Sequence, residues 1–84
     1  MAISSLKSVD ALVAAYKNGS KHLQRGNHYM KRTARGVEFY YHQTAVCSIE
    51  NGIVTYNYGG WHTQSTGRAI NSYRAYFGAG RTIN

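Results

Sequence analysis

The hydrophobic residues of this chain follow two different periods. Between positions 9 and 16 they recur at the i, i+3, i+4 and i+7 spacing of one helix face. Ser8 stands before this run and is expected to cap the helix, and Asn18-Gly19 is expected to end it. The pattern therefore predicts an N-terminal amphipathic helix with a buried stripe of Val9, Leu12, Val13 and Tyr16.

Between positions 37 and 42 the period changes to two, which is typical of a strand with one buried face. Val37, Phe39 and Tyr41 share the face that we expect to be buried. Tyr40 then lies on the opposite face, which we expect to stay open.

The next two strands are predicted to form a hairpin around Asn51-Gly52, the preferred pair for a two-residue type I′ turn. With this turn, Ile49 opposes Val54 and Cys47 opposes Tyr56 on the apolar face. The alternation of apolar and polar residues agrees with this register.

Two further features complete the predicted sheet. For the preceding strand to bury the same face, Tyr41 must oppose Ala45, which leaves residues 42–44 as a three-residue loop. The basic segment before it reads either as a loop or as a short edge strand over residues 28–32, and we favour the strand.

The last helix is predicted to start near Ser65 or Thr66 and to end by Gly78, with Arg68, Asn71 and Arg74 pointing outward. Its predicted buried stripe is Ala69, Ile70, Tyr73, Tyr76 and Phe77. The expected fold is a two-layer α+β domain over residues 1–78, with three or four antiparallel strands and both helices on one face, followed by a flexible tail over residues 79–84.

Composition limits the partners. The 84 residues include ten basic and three acidic side chains, a net charge of +7, which favours nucleic acid or an acidic protein surface over membranes. The single Cys47 excludes an intrachain disulfide, and no segment approaches the ~18 apolar residues of a membrane span. A soluble cytoplasmic protein without metal or cofactor is expected, and pairing through a sheet edge would produce a homodimer.

The turn before the last helix is the first candidate site. Hydroxyls of Thr63, Ser65 and Thr66, free backbone N–H groups and the Arg68 guanidinium could hold a phosphate there. Helix capping by Ser65 or Thr66 explains the same residues without a ligand.

Aromatic and basic residues form the second candidate site. Trp61 and Tyr40 could stack on bases, although a tryptophan in a small domain commonly fills the core and a tyrosine on a sheet edge is commonly solvated. The basic side chains would contact phosphates without reading sequence, or would serve only as solvated charge. The candidates are Lys17, Lys21, Arg25, Lys31, Arg32, Arg35 and Arg74.

Two segments resemble known groups of proteins. Residues 39–46, with 59–66 and the Arg68-Ala69-Ile70-Asn71 run, are similar to short uncharacterised tailed-phage proteins that have a tyrosine-rich hairpin and a Gly-Trp-x-Thr-like turn before an Arg-x-x-Asn-like helix. This resemblance implies a viral origin and expression inside a bacterium. Gly26-Asn27-His28 resembles the Gly-Ser-His motif of HicA-like toxins, ribonucleases on a double-stranded-RNA-binding fold, in which the histidine is catalytic.

The function predicted from these features is that of a small non-enzymatic phage-type accessory protein that binds nucleic acid or a host nucleoprotein complex. One alternative is an inhibitor of a host defence or metabolic protein, similar to anti-CRISPR proteins, that acts by protein contact. The other is a metal-independent ribonuclease that uses His28 with Lys31 or Arg32.

Overall fold

The computed structural model describes residues 6–60 and 62–83. Within these residues the chain has two α-helices and one six-stranded, mostly antiparallel sheet, so the predicted α+β class is confirmed and the predicted strand count is too low. The elements are α1 (Lys7–Lys17), β1 (His22–Arg25), β2 (His28–Thr33), β3 (Gly36–Tyr41), β4 (Thr44–Glu50), β5 (Ile53–Asn57), α2 (Gln64–Phe77) and β6 (Arg81–Ile83).

The first five strands form a meander in which each strand pairs with its chain neighbour. Each connection is a turn of two residues, at positions 26–27, 34–35, 42–43 and 51–52. Asn51 and Gly52 have φ values of 52° and 81°, as a type I′ turn requires. The predicted register of this hairpin is confirmed, since Ile49 pairs with Val54 and Cys47 with Tyr56.

The two strands that the sequence did not predict lie at the edges of the sheet. The strand predicted at residues 28–32 is present as β2. It is not an edge strand, because β1 pairs with its outer side. At the opposite edge, Arg81–Ile83 falls within the segment predicted as a tail and pairs in parallel with β5.

The turn between β3 and β4 differs from the predicted one. Val37 opposes Ile49 and Phe39 opposes Cys47, as the predicted register requires, but Tyr41 opposes Thr44 rather than Ala45. The turn has two residues instead of three, and a register shift beside Phe39 takes up the extra residue as a β-bulge. The bulge allows Val46 to be fully buried.

Both helices pack on the face of the sheet that carries Phe39. The Phe39 ring lies 5.9 Å from the Tyr16 ring of α1 and 4.8 Å from the Tyr73 ring of α2 (centroid to centroid). The buried residues of both helices and of the central strands form one hydrophobic cluster. Within the described residues the other sheet face has no helix on it.

The predicted start of α1 is off by two residues. The helix begins at Lys7 with Leu6 as its N-cap residue, so Ser8 lies inside the first turn. The Leu6 N–H donates to Ser72 Oγ of α2, 3.2 Å away. No side chain caps α1, and this tertiary contact instead ties its N-cap residue to α2.

The predicted end of α2 at Gly78 is confirmed, and its predicted buried stripe holds except at one position. Tyr76 is 40% exposed, and its hydroxyl donates to the Asp10 carboxylate of α1. Neither described helix has the length and apolar character needed to cross a bilayer.

Candidate nucleic-acid interface

A cleft of about 830 Å³ opens at one end of the sheet. It forms where the β1–β2 turn, the β3–β4 turn and the first turn of α2 meet, and we call it the end cleft. Its described lining residues are Gln24, Gly26, Asn27, Tyr29, Tyr41, His42, Gln43, Thr44, Val46, Thr63, Ser65 and Thr66.

The start of α2 forms one wall of the end cleft. Thr63 is the N-cap residue, and its Oγ1 accepts from the Thr66 N–H at 3.2 Å and lies 2.9 Å from Thr66 Oγ1. The predicted cap at Ser65 or Thr66 is therefore wrong by two or three residues. Ser65 is exposed, whereas Thr66 is buried. The structure brings all three predicted hydroxyl residues to the cleft.

Three aromatic rings from neighbouring strands stand at the same end of the sheet. The Tyr41 ring lies 4.9 Å from the His28 ring and 4.3 Å from the His42 ring. Burial and then the neighbouring His42 hold the pKa of His28 below its usual value. His28 Nδ1 is buried and has no hydrogen-bond partner among the described groups. His28 is therefore favoured in its neutral form.

Tyr29 and Tyr40 lie side by side on the sheet face that has no helix. They are direct cross-strand partners, and their ring centroids are 5.7 Å apart. Both are half-buried, and we call them the tyrosine pair. The Tyr40 hydroxyl donates to Glu38 Oε1 at 3.0 Å; burial first, and then this hydrogen bond, raise the pKa of Tyr40. The carboxylate also holds the Tyr40 side chain in position.

Formal charges on this open face balance. By strand alternation it carries Lys31 and Arg81 together with Glu38 and Glu50. The other basic residues lie in the two helices, on the helix side of β1 and β2, or next to turns, so the excess positive charge of the chain is not on this face. A neutral face with two rings suits the stacking of bases, whereas phosphates require the cations that lie outside this face.

Arg32 differs from the other members of the predicted basic segment. Its alternation places it on the helix side of β2, where its guanidinium lies 4.9 Å from the centroid of the Tyr16 ring. Nε donates to the Ser20 carbonyl at 2.7 Å, and Nη2 donates to the Tyr16 carbonyl. These contacts bind the guanidinium to the C-terminal end of α1 and to the segment just after it.

Arg74 is half-buried, so its predicted outward orientation is corrected. Its guanidinium lies 4.9 Å from the centroid of the Tyr56 ring, and Nη2 donates to Thr82 Oγ1 at 2.7 Å. Arg74 thus ties α2 to the last two strands.

The remaining predicted cations are exposed but do not converge on one point. Arg25 lies between two residues that line the end cleft, and Arg68 lies in α2 just after the cleft wall. Lys21 precedes β1, and Arg35 occupies the β2–β3 turn at the opposite end of the sheet. Trp61 lies outside the described residues.

The groups that the ribonuclease alternative requires are not brought together. Lys31 and His28 face opposite sides of β2, and Arg32 is held by main-chain carbonyls. Within residues 6–60 and 62–83, no cluster of three or more His, Cys, Asp or Glu side chains could hold a metal ion.

Several cleft residues were not predicted from the sequence. Tyr29 could have been found from its alternation with Met30, which marks it as facing away from the core. The alternation from Tyr40 indicated the open face for His42, but the place of His42 and Gln43 at the cleft depends on the bulge in β4.

No protein-family model, curated protein or solved structure matches this chain. The resemblances to tailed-phage proteins and to HicA-like toxins therefore stay predictions. The function is therefore inferred from the geometry and charge of the described residues.

Proposed function

We propose that this chain binds single-stranded nucleic acid without catalysing a reaction. The observation that carries the proposal is the tyrosine pair on the open sheet face. Two adjacent, partly exposed rings on a rigid sheet offer a stacking platform, and every base has a π-face that can use it. Single strands expose these faces, whereas a duplex hides them in its own stack.

The charge distribution supports the same partner. The chain has a net charge of +7, and the charges on the open face balance. The cations outside this face are therefore available to phosphates. Lys21 precedes β1 and Arg25 ends it, and both are exposed; Gln24 of this strand pairs with Tyr29, so Arg25 lies next to that pair on the helix side of the sheet. Contacts between cations and phosphates supply binding affinity that falls as the salt concentration rises. Stacking on the tyrosines supplies affinity that depends less on salt.

The test is a fluorescence-anisotropy titration of labelled 12-nucleotide single strands and of the matching duplex at two salt concentrations. Tyr29→Thr and Tyr40→Thr retain strand propensity and remove the rings. Each is expected to weaken single-strand binding about 5- to 150-fold, the equivalent of one stacked base. Tyr76→Ala is the control, because it removes an exposed tyrosine from α2.

The charge contribution is tested separately. Combined Lys21→Gln and Arg25→Gln should reduce the slope of log K against log salt by roughly one for each phosphate that the variant no longer neutralises. The proposal fails if no single strand binds at low salt, or if both tyrosine variants bind as the wild type does. The first result would favour an acidic protein partner.

A further inference from the structure

The chemistry of the end cleft differs from that of the chain as a whole. Among the described residues that line it, none is Lys, Arg, Asp or Glu, although the chain carries thirteen such side chains. A lining of amides, hydroxyls and rings favours an uncharged polar group over a phosphate or a carboxylate.

The aromatic part of the lining favours a flat ligand. Its aromatic lining residues are Tyr29 of β2, Tyr41 of β3 and His42 of the turn after β3. His42 is exposed, so its ring has a surface available for stacking beyond its contact with Tyr41. The ring stands on a turn residue with a φ of 57°, which fixes the direction in which it leaves the backbone.

The polar part of the lining favours a ligand with both donors and acceptors. Gln24, Asn27 and Gln43 each carry a carboxamide, which has two N–H donors and an acceptor oxygen. Carboxamides make paired hydrogen bonds with the edges of nucleobases. Thr44 and Ser65 add hydroxyls that donate or accept.

The position and size of the cleft connect it with the tyrosine pair. Tyr29 belongs to both, so the end cleft lies next to the tyrosine pair. A volume of about 830 Å³ falls within the range of small-molecule sites and is large enough for a base with its sugar.

We propose that the end cleft receives one unpaired nucleobase of a bound single strand. This inference rests on the proposed function and adds to it a base subsite next to the tyrosine pair. The base enters as a neutral ring, stacks on His42, and is held at its edge by the carboxamides. Its phosphates stay outside the cleft, near Arg25 and Arg68 at its border.

The first experiment uses uncharged probes. Adenosine, guanosine, cytidine and uridine are titrated separately into the ¹⁵N-labelled protein and followed by ¹H–¹⁵N NMR. The expected result is saturable shifts at cleft amides such as Thr44 and Ser65 for at least one nucleoside, with little change at Arg35 or Gly52 on the opposite end. Nucleosides carry no phosphate, so attraction between charges cannot produce this result.

Three variants assign the site. His42→Gly removes the ring and suits the positive φ, and should weaken nucleoside binding about fivefold or more. Ser65→Phe fills the cleft from an exposed position on α2 and should abolish nucleoside binding. Asn71→Phe, exposed on the same helix outside the cleft, should leave it unchanged.

The outcomes for the cleft and for the sheet face can be told apart. If oligonucleotides bind through the tyrosine pair while no nucleoside shifts the cleft and Ser65→Phe has no effect, the base subsite is refuted and the proposed function stands. If nucleosides bind in the cleft but no oligonucleotide binds, the subsite stands and the proposed function fails. If neither binds, both are refuted.

Discussion

The guanidinium of Arg32 lies over the Tyr16 ring and donates to the Tyr16 carbonyl. One side chain of β2 thus donates to the Tyr16 carbonyl in the last turn of α1 and to the Ser20 carbonyl just after the helix, and it stacks on an aromatic ring of the same helix. Helix C-termini leave carbonyls without intrahelical partners and favour positive charge. Arg32 meets both requirements from outside the helix.

Arg32→Lys is therefore expected to lower the free energy of unfolding by about 1–3 kcal/mol, because lysine keeps the charge and loses the planar fork. Urea denaturation followed by circular dichroism measures the change. Arg35→Lys in the exposed β2–β3 turn is the matched control and should change stability by less than about 0.5 kcal/mol. Equal effects of the two substitutions would contradict the structural role of Arg32.

Thr63→Ala should lower the free energy of unfolding by about 1 kcal/mol, because it removes the cap of α2. Ser65→Ala serves as the comparison, since Ser65 is exposed and makes no cap contact in the described structure. Thermal unfolding of both variants checks the assignment. A larger loss for Ser65→Ala would identify Ser65 as the cap instead.

The half-buried position of His28 predicts a pH dependence of stability. Its pKa is lowered in the folded state from a reference value of 6.5, so the unfolded chain binds the proton more tightly. The free energy of unfolding should therefore fall as the pH drops below about 6.5. His28→Gln should show a shallower fall between pH 7.5 and 5.5 in urea titrations, and an unchanged slope would remove His28 as the cause.

Substitution by alanine is expected to have opposite effects on stability at Gly36 and at Gly67. A Cβ on Gly36 would lie 1.8 Å from the Ile49 carbonyl oxygen across the β3–β4 pair, whereas a Cβ on Gly67 in α2 meets nothing within 4 Å. Gly36→Ala should destabilise the fold by roughly 1–3 kcal/mol through overpacking. Gly67→Ala should stabilise it by about 0.5–1 kcal/mol, because alanine favours the helix. Differential scanning calorimetry of the two variants decides the signs.

The parts of the fold that were predicted from the sequence depend on local signals. Asn51-Gly52 specifies a turn in which both residues have positive φ, and that turn sets the pairing of Ile49 with Val54. Alternation then places Phe39 inward and Tyr40 outward without knowledge of the rest of the chain.

The parts that were missed depend on contacts distant in sequence. The strand of Arg81–Ile83 has three exposed residues and no apolar alternation, and it exists because α2 brings it beside β5. The bulge at Val46 allows a two-residue turn together with the register that buries Phe39 opposite Cys47. The period of the apolar residues alone does not reveal such a bulge.

The candidate site was predicted in part. Thr63, Ser65 and Thr66 were selected as a group, and the structure does bring them to one cleft. Of the tyrosine pair, the sequence analysis selected Tyr40 only. The position of Tyr29 beside it depends on the pairing of β2 with β3.

The parallel pairing of β6 has a consequence for how the sheet assembles. Strands β1 to β5 meet through two-residue turns, so the entropic cost of closing each hairpin is small and the meander can form from local steps. Residue 81 meets residue 55 only after the whole of α2 has been placed. We therefore expect the hydrogen bond from the Tyr58 N–H to the Ile83 carbonyl to form late in folding and to open early, so that the amides of β6 exchange faster than those of the central strands.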